Sequence, residues 1–113
     1  VGLHLASSDA YVNIAGGMKM TEPAIDLGIC LAIASSMKDI VIPDKLMAFG
    51  EIGLSGEVRA VSMAGQRVAE AKKLGFETVI LPEVNRAATE SIKGIRLVYV
   101  AGISDAISFI RNL

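Results

Sequence analysis

Phe49-Gly50-Glu51-Ile52-Gly53-Leu54-Ser55-Gly56-Glu57-Val58-Arg59 is the stretch on which the reading of the fold turns. Gly53, Ser55 and Gly56 read as a turn. Residues 46–51 then form the arriving strand, and residues 57–61 the return strand of a hairpin. Upstream, residues 40–42 are a short apolar piece stopped by Pro43-Asp44. Residues 23–37 predict a long helix. Thr21-Glu22-Pro23 starts it with a hydroxyl able to cap, an acid near the positive end and a proline in the first turn. This helix is apolar nearly all round, so it is expected to be buried on several sides. Residues 9–15, holding Tyr11, Val12 and Ile14, alternate as a strand that ends at Gly16-Gly17.

Downstream of the hairpin, residues 63–74 predict a second helix, capped by Gly75. Ala64, Val68, Ala71 and Leu74 fall on its inner face, with Arg67, Glu70 and Lys73 outside or at its edge. Residues 78–81 make a β-branched strand closed by Pro82. A short helix over 83–92, a strand over 96–100 and an amphipathic helix over 103–113 complete the chain. The alternation places the protein in the α/β (α+β) class, with a mixed sheet and packed helices in one domain over residues 1–113.

Composition narrows the function. Of 113 residues, 52% are hydrophobic, 20% charged and only 4% aromatic, which specifies an aliphatic core and excludes disorder. Cys30 and His4 stand alone, so neither a disulfide framework nor a Cys/His metal cluster can be built. Eleven basic against twelve acidic side chains give a net charge of -1. Bulk charge therefore does not drive nucleic-acid binding, and DNA contact requires basic residues gathered on one surface. The mean hydropathy of +0.53 is high, and points to apolar surface covered by a partner. No membrane span is expected: the most apolar stretch, residues 23–34, holds Asp26 and is shorter than the roughly 18 residues a span requires. The sequence opens on Val1 in an apolar run and reads as a domain cut from a longer protein.

Few residues carry chemistry. The loop glycines form neither GxxxxGK[ST] nor GxGxxG. Cys30, among apolar neighbours, reads as a buried structural thiol. Asp26 interrupts an apolar helix; it is either a polar edge or half of a pair with Arg67. Arg59, Arg67, Lys72 and Lys73 are the densest basic cluster, either a solvated face or a phosphate-contacting patch.

Four segments carry a family resemblance: Tyr11-Val12-Asn13-Ile14-Ala15-Gly16-Gly17, Glu22-Pro23-Ala24-Ile25-Asp26-Leu27 running on to Ala32-Ile33-Ala34-Ser35-Ser36, the hairpin block quoted above, and Arg67-Val68-Ala69-Glu70-Ala71. Over nearly its whole length the chain resembles the C-terminal domain of the bacterial RadA/Sms DNA repair family, itself similar to the proteolytic domain of Lon proteases. The resemblance implies a Lon-protease-like, ribosomal S5 domain 2-like fold. It puts Ala24 where the Lon family has its serine nucleophile and Arg67 where it has the dyad lysine. Alanine has no nucleophile and arginine stays protonated, so the implied domain is non-catalytic. Asp26 follows in the old active site as a partner for Arg67. The family implies hexameric ring assembly and contact with single-stranded or branched DNA in the bacterial cytoplasm, with Arg59, Arg67, Lys72 and Lys73 as candidate contacts. ATP, Mg and Zn belong to a motor and a zinc finger outside this chain, leaving no cofactor here. The rivals are an active serine–lysine peptidase and an oligomerisation module with no DNA role.

Overall fold

The computed structural model describes residues 26–113. The expected strand over 9–15, the turn at Gly16-Gly17, the helix start at 21–23 and Ala24 lie outside the described residues. Helix α1 spans Asp26–Lys38, and strand β1 Leu46–Ala48. The hairpin strands follow, β2 at Glu51–Ile52 and β3 at Val58–Arg59. Then come helix α2 (Ala64–Lys73) and strand β4 (Thr78–Pro82). A 3-10 turn at Glu83–Asn85 leads into the one-turn helix α3 (Arg86–Thr89). Strand β5 (Arg96–Val100) and helix α4 (Ile103–Arg111) end the chain.

β1, β4 and β5 form a parallel sheet in that spatial order, with Leu46 in register with Thr78 and Thr78 with Arg96. Parallel neighbours need crossovers, and a parallel sheet is covered on both faces. Period-two alternation divides the core accordingly. Leu46, Ala48 and Ile80 join Leu27, Leu31, Ala106 and Ile110 under α1 and α4. Met47, Phe49, Val79 and Leu81 join Ala64, Val68 and Ala71 under α2. The fold is thus α/β, as expected. Among the described residues, however, the parallel strands and the antiparallel hairpin are two separate sheets rather than one mixed sheet.

The expected strand over 46–51 is broken at Phe49-Gly50. Phe49 still donates its N–H to the Ile80 carbonyl at 3.0 Å, and then the chain leaves the parallel sheet. Gly50 permits this by close approach, since a Cβ there would lie 2.8 Å from Val58 Cγ1. The Gly50 carbonyl in turn accepts the Leu27 N–H at 3.0 Å. The return strand is shorter than 57–61, and the helix over 83–92 is a 3-10 turn plus one α turn.

Three burial expectations are corrected. Leu74 is exposed, because α2 has already ended. Gly75 (φ 95°) donates to the Lys72 carbonyl and Phe76 to that of Ala71, a Schellman closure that turns the chain toward β4. Helix α1 buries Leu27, Leu31 and Ala32 but exposes Ile33 and Met37, because only one side of it meets the sheet and α4. Cys30 is half-buried rather than buried.

Within the hairpin block, burial separates residues that lie close in sequence. Phe49 is fully buried and Leu54 fully exposed. Phe49→Ala should lower stability by about 3–5 kcal/mol, while Leu54→Ala should change it by less than about 0.5 kcal/mol. Urea unfolding of the two variants checks both values.

Candidate functional site

Helix α2 begins without a capping side chain. Met63, its N-cap, is left-handed at φ 58°, a conformation unfavourable for a residue with a Cβ. Arg67 lies one turn on, and its Nε donates to the Ser62 carbonyl at 2.8 Å, while its backbone N–H reaches the Met63 carbonyl at 3.0 Å. The same guanidinium is therefore a clamp on the strained helix entry. Arg67 is 7% exposed, not outside or at the edge as expected. Burial alone moves its pKa down from the ordinary arginine value.

Asp26 stands at the described start of α1, where a carboxylate complements the helix dipole. Its Oδ2 lies 3.5 Å from the Ile52 N–H, a long contact that leans the helix on the hairpin. Asp26 and Arg67 do not form the expected ion pair: among the described residues the ion pairs are Arg59–Glu51, Arg59–Glu57 and Arg86–Glu83. Each of the two has a backbone partner instead. Burial, and secondarily the Asp26 carboxylate, push the Cys30 thiol pKa up, so it is no activated nucleophile.

Nor does the structure bring Arg59, Arg67, Lys72 and Lys73 together. Arg59, on β3, is paired with Glu57 at 3.0 Å and with Glu51 at 3.9 Å. Arg67 is turned inward. Lys72 and Lys73 sit in the last turn of α2, where cations complement the negative helix end. Lys72 Nζ donates to the Lys93 carbonyl, so the lysine tip of α2 rests on the loop before β5.

That edge of the molecule gathers charge that sequence reasoning missed. Because the sheet is parallel and in register, every strand starts there. Lys45 precedes β1, Glu77 precedes β4, Lys93 lies just before β5, and Arg96 opens it. The Lys45 carbonyl accepts the Glu77 N–H and the Glu77 carbonyl accepts that of Arg96, which fixes the three connections side by side. Helices α1 and α4 end there too, with Lys38 and Arg111 in their last turns. All these basic residues are exposed, against Asp39, Asp44, Glu77 and Glu90 on the same edge or beside it. Among the described residues none of these lysines is in an ion pair, whereas Arg59 and Arg86, from elements near the opposite edge, both are.

Among the described residues no group of three or more His, Cys, Asp or Glu side chains is placed to hold a metal ion. No described helix is long and apolar enough to cross a membrane.

Residues 1–85 match the family model described as subunit ChlI of Mg-chelatase. Over 107 residues the chain is 48% identical to the DNA repair protein RadA of Bacillus subtilis, covering 95% of this chain and 23% of that protein. It is 40% identical over 112 residues to the DNA repair protein RadA of Escherichia coli, covering 99% of this chain and 24% of that protein. With the RadA of Aquifex aeolicus the identity is 41% over 99 residues, covering 88% and 22%. The chain therefore spans about a quarter of the length of the curated relatives it matches.

Two outcomes follow from the local geometry. Arg67→Met keeps the apolar stem but removes the donor to the Ser62 carbonyl, and should cost about 1–3 kcal/mol in urea unfolding. Glu57 accepts from the Ser55 N–H and pairs with Arg59, and its pKa is lowered from the ordinary 4.5, chiefly by backbone hydrogen bonding and then by Arg59. Its contribution is present above that value and is lost as the pH falls below 4.5 through the lowered folded value. Melting temperature measured from pH 7 to 3 should fall less steeply in Glu57→Gln than in the parent.

Proposed function

We propose that this chain, which belongs to the ChlI family and is homologous to about a quarter of the bacterial DNA repair protein RadA, is a non-catalytic scaffold in a DNA repair ATPase of the RadA type. In this reading it has the Lon-like, ribosomal S5 domain 2-like fold, joins a hexameric ring and touches single-stranded or branched DNA. ATP hydrolysis, with its Mg, and any zinc finger would belong to other parts of such a protein, working in the bacterial cytoplasm. The chain has no P-loop pattern, and Mg-chelatase chemistry is not carried over from the family description.

The absence of catalysis is supported by residue chemistry. Ala24 offers no nucleophile, and the Arg67 guanidinium is a permanent cation engaged with the Ser62 carbonyl. DNA contact is supported by one observation, the exposed lysines, outside any ion pair among the described residues, of the edge where the strands start. Lys72 and Lys73 keep their place among the candidates and are joined by Lys45 and Lys93. Arg59, neutralised by two glutamates, and Arg67, buried, drop to supporting roles. Phosphate contacts of this kind carry no sequence preference, which suits a domain that must follow DNA of any sequence.

Charge reversal of Lys45, Lys72, Lys73 and Lys93 to Glu in the full-length protein should weaken DNA binding about tenfold or more. It should also flatten the salt dependence by roughly 0.7 to 0.9 per lost phosphate contact. Arg59→Glu should change both far less. Fluorescence anisotropy with single-stranded and forked DNA across a salt series reads both quantities. Unchanged affinity and slope in the quadruple variant would leave the chain as an oligomerisation module. Cleavage of an unstructured protein by the full-length protein, lost on changing Thr21, Ser35, Ser36, Ser62, Lys19 or Lys72, would restore the peptidase reading.

A further inference from the structure

We infer that Leu54 is an anchor by which one copy of this chain grips another, seating in an apolar groove on the neighbour's α1. The inference rests on the self-association proposed above and names its contact. Leu54 is 106% exposed and so is not packed against the described residues of its own chain. A single exposed leucine is ordinary. The mounting of this one is not.

The hairpin tip is held on every side. Gly53 donates to the Glu57 carbonyl at 2.9 Å and Gly56 to that of Gly53 at 3.0 Å. Ser55 N–H donates to the Glu57 carboxylate at 3.0 Å, which in turn holds Arg59. At the base, Val58 donates to the Ala101 carbonyl and Ile103 to the Gly56 carbonyl, each at 2.8 Å. Leu54 is therefore presented on a rigid mount whose ordering is complete before any partner arrives. Preorganisation of this kind is what separates an anchor from an incidental apolar residue.

The receptor lies on the same chain. Cys30, Ile33, Ala34, Met37 and Lys38 line an open apolar groove of about 310 Å³ on α1, ample for one leucine side chain. Ile33 and Met37, one turn apart, are 54% and 81% exposed and form its walls. The hairpin meets α1 at Asp26, and the groove begins at Cys30, about 6 Å further along the helix axis. Its own Leu54 is exposed and, among the described residues, lies outside its own groove, so in this reading a second copy supplies the side chain. Charge agrees with this pairing. Glu51 and Glu57 outnumber Arg59 at the hairpin, and Lys38 is the one charged residue among those lining the groove.

Native Cys30 makes the contact testable. In the full-length protein, Leu54→Cys should crosslink on oxidation with copper phenanthroline, and mass spectrometry should show residue 54 of one copy joined to residue 30 of another. Adding Cys30→Ser should abolish that link. A ladder beyond the dimer reads a head-to-tail arrangement and a stop at the dimer reads reciprocal exchange; either supports the contact. Leu54→Asp should weaken self-association about tenfold or more by light scattering, with the far-ultraviolet circular dichroism of the folded chain unchanged because the side chain is fully exposed. Self-association that persists in Leu54→Asp, with no link from residue 54 to residue 30, overturns the anchor while leaving assembly intact. A parent protein that stays monomeric at every concentration removes the assembly reading and the anchor with it.

Discussion

A missing side chain at Gly50 is the constraint on which the arrangement depends. Val58 occupies the space a Cβ would take, 2.8 Å from where it would stand, and the Gly50 carbonyl receives the Leu27 N–H from the first described turn of α1. One residue thereby lets the chain leave the parallel sheet, lets the hairpin close over the core and sets where α1 begins to pack. Phe49 on one side of it is sealed under α2, and Glu51 on the other already belongs to a different sheet. The rigidity of the hairpin, and hence of Leu54 at its tip, descends from that pivot.

Electrostatics divides the molecule in a way that net charge conceals. A balance of -1 is an average over two unlike edges. Where the strands finish, arginines are matched to glutamates on the hairpin and on the turn after β4. Where the strands start, lysines stand on strand entries and helix exits, sites at which a cation is also favoured by the helix dipole. Local helix stability and the concentration of positive charge at this edge are thus served by the same side chains. Arg67 belongs to neither edge. Its single strong contact supports the left-handed entry to α2, so the position shifts from chemistry to architecture.

Much of the fold was legible because local signals and tertiary packing agree. The β-branched run of β4, the β5 segment, Gly75 as a helix stop and the amphipathic α4 all fell where the sequence placed them. The break at Gly50 was not legible, because residues on both sides read equally well as strand and only the approach of Val58 separates them. Arg67 is more instructive. Positions 64, 67, 68 and 71 share one helical face by spacing alone, yet charge argued that Arg67 should point outward. A carbonyl acceptor one turn upstream reversed that. The lysine edge was invisible for a different reason: residues 45, 72, 73 and 93 become neighbours only through the register of a parallel sheet. The exposed face of α1 had a signal, Ile33 and Met37 four residues apart, which the general apolarity of the helix masked.

The strand order β1, β4, β5 also dictates when this protein can become a structure. Its central strand is flanked by partners more than thirty residues upstream and about eighteen downstream in register. Neither ladder is local, and each requires its own crossover to be spanned before its first hydrogen bond is gained. A nascent chain leaving the ribosome therefore holds β1 without its β4 partner until residues near Pro82 have emerged, and β4 without its β5 partner until residues near Val100 have. Slow, late closure of this kind is when a chain so rich in Ile, Val and Leu is most exposed to wrong partners.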